Sequence, residues 1–303
     1  MSLYAFLGTL EIGLIYGLVA MGVYLTFRIL DFPDLTVDGS FTLGAAVTAT
    51  LIVTGVNPYL STLFGTLAAA SAGLVTAWLN LRFNILHLLA SILTMTALYT
   101  INLRVMGKPN VALIMEPTML TPFENLGIPA MYMKVIFVAV CAIIAGLLVT
   151  WFLYTQYGLA MRAVGSNKRM AQANGIVVNE KVYVGLALSN GLVGLACALF
   201  AQTNGFTDST IGIGTIVVGL AAVIIGESLF GTRSLLIIVM SCILGSILYR
   251  LAVSMALNAD FLGFQASDLN LLTAVLVTLS LIFPKLRSEW KAKKAKSKGK
   301  EIW

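Results

Sequence analysis

The chain has 303 residues, of which 59% are hydrophobic and 11% charged, with a mean hydropathy of +0.94. Soluble domains carry about 25% charged residues, so this composition excludes an ordinary water-soluble globule and describes a polytopic membrane protein. The net charge of +6 does not indicate nucleic-acid binding, because eight of the 19 basic residues crowd into segment 285–303, KLRSEWKAKKAKSKGKEIW; a basic tail after a final span is a cytoplasmic topology determinant beside anionic lipid.

Apolar runs of about 17–25 residues cross a bilayer as straight helices, and broken helices need fewer. In chain order the sequence predicts about nine crossings (8–10), near 4–27, 40–55, 59–80, 86–103, 133–156, 182–203, 214–230, 234–255 and 268–284. The fold class is therefore an all-α transmembrane helix bundle. The first run lacks a basic leader and continues as a full span, as expected of an uncleaved first helix. The runs at 40–55 and 214–230 are short, as half-helices or broken helices are. Segment 104–132 holds Pro109, Pro117, Pro122 and Pro129, four of the seven prolines. Proline at that density excludes a continuous helix, and two readings stay open, a platform for an external protein or a plain connector.

Basic residues choose the orientation. With a cytoplasmic C-terminus and nine crossings, the N-terminus lies outside. Arg28, Arg82, Arg162, Lys168, Arg169, Lys181, Arg233 and the tail then fall inside, and Arg104, Lys108, Lys134 and Arg250 outside, fifteen against four. Positive charge accumulates on the cytoplasmic side of membrane proteins, so this orientation is expected.

Polar residues within the apolar runs are the candidates for chemistry. Segment 28–40, RILDFPDLTVDGS, carries Asp31, Asp34 and Asp38, with Pro33 and Gly39 expected to break the helix. An aspartate at the centre of a membrane helix costs roughly 2.5–3.5 kcal/mol on insertion scales, and such groups persist in cavities, broken helices or interfaces. Asp34 and Thr36, with Asp38, are candidates to line or gate a pathway. The alternative is an interfacial loop with helix caps, since Asp38 just before Ser40 suits a helix start. Glu227 lies near Arg233 and reads as an interfacial contact, Glu11 as a polar helix contact, and His87, the only histidine, as a structural residue at a helix start. Cys141, Cys197 and Cys242 lie in separate apolar runs with no metal-ligand or disulfide spacing.

An internal repeat connects the two halves. Segments 13–39 and 187–213 align at a constant offset of 174 residues with Leu14/Leu188, Gly17/Gly191, Leu18/Leu192, Val19/Val193, Leu25/Leu199, Phe32/Phe206, Asp34/Asp208 and Thr36/Thr210 identical. Leucine and valine identities come easily in apolar sequence, but Phe-x-Asp-x-Thr does not. Asp208 and Thr210 therefore join the pathway candidates. Five expected crossings separate the starts of the copies, so the second enters from the opposite face, the signature of an inverted-topology repeat in transporters. The organisation expected is one transmembrane domain over 1–303, with repeat 1 at about 4–156, a polar loop at 157–181, repeat 2 at about 182–284 and the tail at 285–303.

The loop 158–181, GLAMRAVGSNKRMAQANGIVVNEK, is a polar island between apolar runs. Ser166 is expected to cap a helix start and Gly175 to end the helix in a left-handed conformation. The short helix between them, of roughly two turns and carrying Lys168 and Arg169, is marginal alone in water and needs a partner surface. No Walker A sequence, zincin HExxH or Cys-rich metal site occurs, so the chain is expected to bind no cofactor and to be no enzyme.

Gly158, Arg162, Ala163, Asn167, Ala171 and Gly175-Ile176 follow the pattern G-x-x-x-R-A-x-x-x-N-x-x-x-A-x-x-x-G-I. With the N-terminal block GLIYGLVAMGVYLTFRILDFPDLTVDGSFTLGA, they make the chain resemble, over 5–285, the permeases of ABC importers in the branched-chain amino acid and ribose family. That resemblance implies a coupling helix built from Arg162, Ala163, Gly165, Ser166, Asn167, Lys168, Arg169, Ala171 and Gly175, docked on a cytoplasmic ATP-binding cassette dimer that carries ATP and Mg. It also implies an external solute-binding protein and a bacterial inner-membrane location. Where branched-chain permeases carry an Asn-Phe-Ala-His-Gly-like stretch, this chain has Asp34-Leu-Thr-Val-Asp38-Gly39, a variant similar to the single-permease subgroup associated with aromatic amino acid uptake, in which two copies of one chain form the pore. The alternative function is an ion-coupled secondary transporter using intramembrane carboxylates.

Overall fold

A computed structural model of the chain describes residues 3–126, 129–231 and 234–257, together with Ala274, Val275, Thr278 and Ile282. The first helix, α1 (Leu3–Tyr24), runs into a π-helical turn, Leu25–Ile29. Then follow α2 (Thr36–Val53), α3 (Pro58–Phe83), α4 (His87–Met106), strand β1 (Asn110–Ala112), a 3-10 turn (Thr121–Leu126), α5 (Ala130–Tyr154), α6 (Gln156–Ser166), α7 (Lys168–Ala173), α8 (Val178–Asn204), β2 (Phe206–Asp208), α9 (Thr215–Phe230) and α10 (Leu235–Leu257). Among the described residues seven helices are long and apolar enough to cross a membrane, and α9 is a shorter apolar helix. The crossing expected at 268–284 and the tail at 285–303 lie outside the described residues, apart from isolated positions.

The helix α1 occupies the middle, with Ile15, Leu18, Val19, Ala20, Met21 and Val23 fully buried against α5, α8, α9 and α10. Helices α3, α4 and α5 instead turn leucines, isoleucines and aromatic residues outward, among them Leu67, Leu89, Ile144 and Trp151. That surface suits lipid, in which exposed apolar groups carry no penalty.

Small residues allow the close packing of α2, α3 and α8. A Cβ on Gly73 would stand 2.4 Å from the Leu186 carbonyl oxygen, and one on Gly44 2.5 Å from the Gly194 Cα. Packing rather than water exclusion drives association between helices in lipid, and small residues permit backbone contact.

The two copies of the internal repeat meet directly. Gly185 faces Leu30, while Ser189 and Val193 face Gly22, so α8 runs antiparallel to α1. The Ser189 hydroxyl donates to the Gly22 carbonyl at 2.7 Å. Five candidate spans precede α8, which fits the opposed direction.

One boundary differs from the sequence expectation. The second helix begins at Thr36 rather than near residue 40, so Asp38 lies in its first turn and Gly39 does not break it. Gly39 is needed there for another reason, since a Cβ would come 2.8 Å from Leu98 Cδ1 of α4. The proline-rich segment after α4 is no continuous helix: Asn110, Val111 and Ala112 pair antiparallel with Asp208, Thr207 and Phe206.

Candidate functional site

Two polar regions stand out, one at an end of the bundle and one inside it. The first is the island, which consists of two helices rather than one. Thr155 opens α6 by accepting the Gly158 N–H at 3.2 Å. The helix then packs Met161 and Val164 fully inward. Gly165 lies against the π turn so closely that a Cβ would stand 1.8 Å from the Ile29 carbonyl oxygen; only glycine permits this crossing of α6 over the end of α1.

The expectation that Ser166 caps the short helix is corrected. Ser166 is the last residue of α6, and Asn167, in extended conformation, caps α7 by accepting the Met170 N–H at 3.0 Å. Both residue types cap well, but only Asn167 leaves the helical region, because α6 continues through Ser166. Gly175 does end the segment with φ +77°, and the Ile176 N–H returns to the Ala171 carbonyl at 3.0 Å. Between α6 and α7 lies a groove of about 530 Å³ whose lining includes Leu159, Ala163, Asn167 and Met170. Met170 is 65% exposed, and Ala171 is buried beneath it.

Lys168 and Arg162 point to different surroundings. The Lys168 ammonium lies 3.3 Å from His87 Nε2, and the His87 ring packs on Phe32 at 4.3 Å. This ties α7 to the start of α4 and makes His87 a structural contact of the island. Arg162 is half-buried in α6. Lys181 lies over the Tyr157 ring at 3.4 Å, fixing the start of α6 to that of α8. Glu227 pairs with Arg28 through contacts of 2.5, 2.9 and 3.1 Å; the expected neighbour Arg233 lies outside the described residues. That pair fastens the π turn to the end of α9.

The second region is a buried polar bracket. Asp34 has no exposed surface. One carboxylate oxygen accepts the Thr36 N–H at 2.9 Å, and the other accepts Asn190 Nδ2 at 2.8 Å. Asn190 Oδ1 in turn accepts the Ser40 hydroxyl, and the Thr36 hydroxyl meets that of Thr76 at 2.7 Å. Four segments, the 30–35 connector, α2, α3 and α8, are thereby joined. Asp34 lies between candidate spans, and its burial pushes the carboxyl above the ordinary range, opposed by the Thr36 and Asn190 hydrogen bonds.

Asp38 has a different task. Its two oxygens accept the backbone N–H groups of Gly214 at 3.0 Å and Ile216 at 2.8 Å. It therefore caps α9, a helix of the other repeat copy, rather than its own. Asp208 and Thr210 repeat the local geometry of Asp34 and Thr36, with Asp208 Oδ1 accepting the Thr210 N–H and hydroxyl, both at 2.6 Å. They do so on the β ribbon, where Thr210 is exposed. Asp34 and Asp208 are thus not brought together, whereas Asp38 and the turn after Asp208 are.

Sequence reasoning missed Asn190, Thr76 and Asn102. The available signal was an uncharged amide or hydroxyl at a fully buried position of an apolar run, which in lipid must find a partner.

An antiparallel-packed, repeat-built bundle of apolar helices with a folded polar hairpin at one end defines a polytopic membrane permease. The chain belongs to the family described as branched-chain amino acid transport system, permease component, whose model matches residues 5–283. It is accordingly a permease subunit of an ABC transporter. It is 38% identical over 286 residues to the tyrosine transport system permease protein of Clostridioides difficile (strain R20291), covering 93% of this chain and 92% of that protein. It is 31% identical over 278 residues to the uncharacterized protein RP368 of Rickettsia prowazekii (strain Madrid E), covering 90% and 95%. In fold it is similar to a chain of PsaBC from Streptococcus pneumoniae in complex with Fab, with a TM-score of 0.50, 16% identity and coverage of 91% and 89%.

Proposed function

We propose that this chain is the membrane subunit of a bacterial inner-membrane importer for amino acids, with aromatic amino acids such as tyrosine as cargo, and that a separate ATPase dimer drives it through the α6–α7 hairpin. The observation that carries the reading is the hairpin itself. A six-residue helix, α7, is too short to persist alone in water, yet here it is held by Asn167, Gly175 and the Lys168–His87 contact with Met170 exposed at its tip. That arrangement supports a rigid lever presented to a partner. The groove between α6 and α7 is of a size to receive a side chain of that partner.

Force on the hairpin reaches the bundle by packing. Gly165 presses on the Ile29 carbonyl, and the π turn there carries Arg28, which is tied to Glu227 of α9. A push on α6 therefore moves the ends of α1 and α9, the first helices of the two copies to feel it. Two copies of the chain, oriented with N-termini outside and C-termini in the cytoplasm, form the pathway, and an external binding protein delivers cargo to it. The extent of the likeness to the tyrosine permease, 38% over nearly the whole chain, supports the cargo class.

The test is ATP-driven uptake of L-tyrosine by vesicles carrying the full complex. Met170→Asp is expected to reduce uptake at least about tenfold and to abolish crosslinking of Lys168 to the ATPase, with the thermal midpoint of the permease unchanged. Undiminished uptake would overturn the coupling role of α7. The competing reading, ion-coupled transport, is motivated by Asp38 within a candidate span. It requires uptake that survives removal of ATP and stops with a protonophore.

A further inference from the structure

A cavity of about 410 Å³ opens between the first turn of α2, the later half of α4 and the turn at 209–213. It is the place where the two repeat copies share a wall: Asp38, Gly39 and Thr42 come from one, Ser209 and Ile213 from the other. Two polar groups in its wall bear on what it binds.

The first is the carboxylate of Asp38. It is partly exposed and lies in a segment apolar enough to cross a membrane. Its two oxygens face the positive end of α9 and accept the backbone N–H groups of Gly214 and Ile216. No basic side chain pairs with it, since the ion pairs among the described residues are Arg28–Glu227 and Lys181–Glu180. An intramembrane carboxylate that lines a cavity and has no basic partner among the described residues is a candidate contact for a cationic ligand.

The second is Asn102 of α4, 1% exposed. Its Nδ2 donates to the Gly39 carbonyl at 3.2 Å, which fixes the amide plane, and its Oδ1 accepts no hydrogen bond among the described residues. A buried acceptor left without a donor is costly, and a ligand donor would remove that cost. Beside these acceptors the cavity is mainly apolar, with Met95 and the half-exposed Tyr99 ring on α4. Aromatic faces and thioethers both attract aromatic rings.

We propose that this cavity is a binding station on the transport path that recognises a primary ammonium group through Asp38 and Asn102, and an adjacent aromatic ring through Tyr99 and Met95. The aromatic amino acid as ligand rests on the function proposed above; the preference for a cation does not.

The test uses the full complex in vesicles, with Ser209→Cys in the permease. Cys197 and Cys242 have no exposed surface, and Cys141→Ala removes the remaining thiol. Modification by a trimethylammonium-ethyl thiosulfonate is compared with that by its sulfonatoethyl analogue, each normalised to its rate with a free thiol. The cationic reagent is expected to react about tenfold faster, as a nearby unscreened charge produces, and Asp38→Asn should bring the ratio close to one. L-Tyrosine should slow the cationic reagent several-fold, and 3-(4-hydroxyphenyl)propanoate, which keeps the ring but lacks the amine, should not.

Equal normalised rates in the parent chain, or equal protection by both compounds, would overturn the site. Because Asp38 also caps α9, Tyr99→Ala serves as a second variant. It should weaken protection by L-tyrosine while leaving the charge preference intact, and unchanged protection would overturn the aromatic contact. Uptake measured in the same vesicles separates the two proposals. Tyrosine uptake with no charge preference sinks the cavity alone, whereas an Asp38-dependent preference without amino acid uptake sinks the cargo and keeps the cation site.

Discussion

Asp34 and Asp208 occupy the same place in the repeat, follow the same phenylalanine and make the same turn, yet their surroundings have nothing in common. Each carboxylate accepts the backbone N–H of the threonine two residues on. Around Asp34 that turn is closed in by α2, α3 and α8, and its second oxygen is held by Asn190. Around Asp208 the turn sits on a two-stranded ribbon beside Asn110. The comparison separates two effects that a sequence match merges. Turn chemistry is local and repeats wherever the residues repeat. The worth of the turn is set by burial, because an unpaired polar group costs little in water and much inside a packed bundle.

Substitutions can break or sharpen that contrast, and thermal or denaturant unfolding of the purified chain in detergent measures each. Asp34→Ala is expected to have the largest effect. It leaves the Thr36 N–H and one of the two Asn190 Nδ2 donors unpaired in a buried site, the other still donating to the Leu186 carbonyl, at about 1–3 kcal/mol for each unpaired group. Asn190→Ala should follow at about 2 kcal/mol, since Asp34 and Ser40 both lose a partner. The double variant should cost less than the sum, because the two residues share one bond. Thr76→Val removes one buried hydroxyl contact with Thr36 and should cost about 1 kcal/mol. Asp208→Ala should cost the least, below about 0.5 kcal/mol, as surface substitutions do. If Asp208→Ala proved as damaging as Asp34→Ala, burial would not be what distinguishes the copies.

The island offers a second lesson about legibility. Gly175 was readable because a left-handed helix end nearly demands glycine. The cap was misplaced by one residue because Ser166 and Asn167 are both good caps, and only the continuation of α6 to Ser166 decides between them. Gly165 was singled out only through the family resemblance, and its packing role was not readable. Its importance comes from the Ile29 carbonyl, 136 positions earlier in the chain, and no local pattern encodes that approach. The Arg28–Glu227 pair was hidden for the same reason, since Arg233 is nearer in sequence than Arg28. Asp38 was readable as a cap, but the helix it caps lies in the other copy.

Hydropathy, the low share of charged residues and the Phe-x-Asp-x-Thr match were enough to point to a helical membrane bundle built from a repeat. These follow from the solvent: in lipid every backbone group must be satisfied within its own helix, so apolar length alone marks the spans. Which polar residues are enclosed, which cap a distant helix and which face a cavity was decided only by the tertiary structure. Those properties depend on what stands within a few ångströms, and in an antiparallel repeat the neighbours come from opposite ends of the chain.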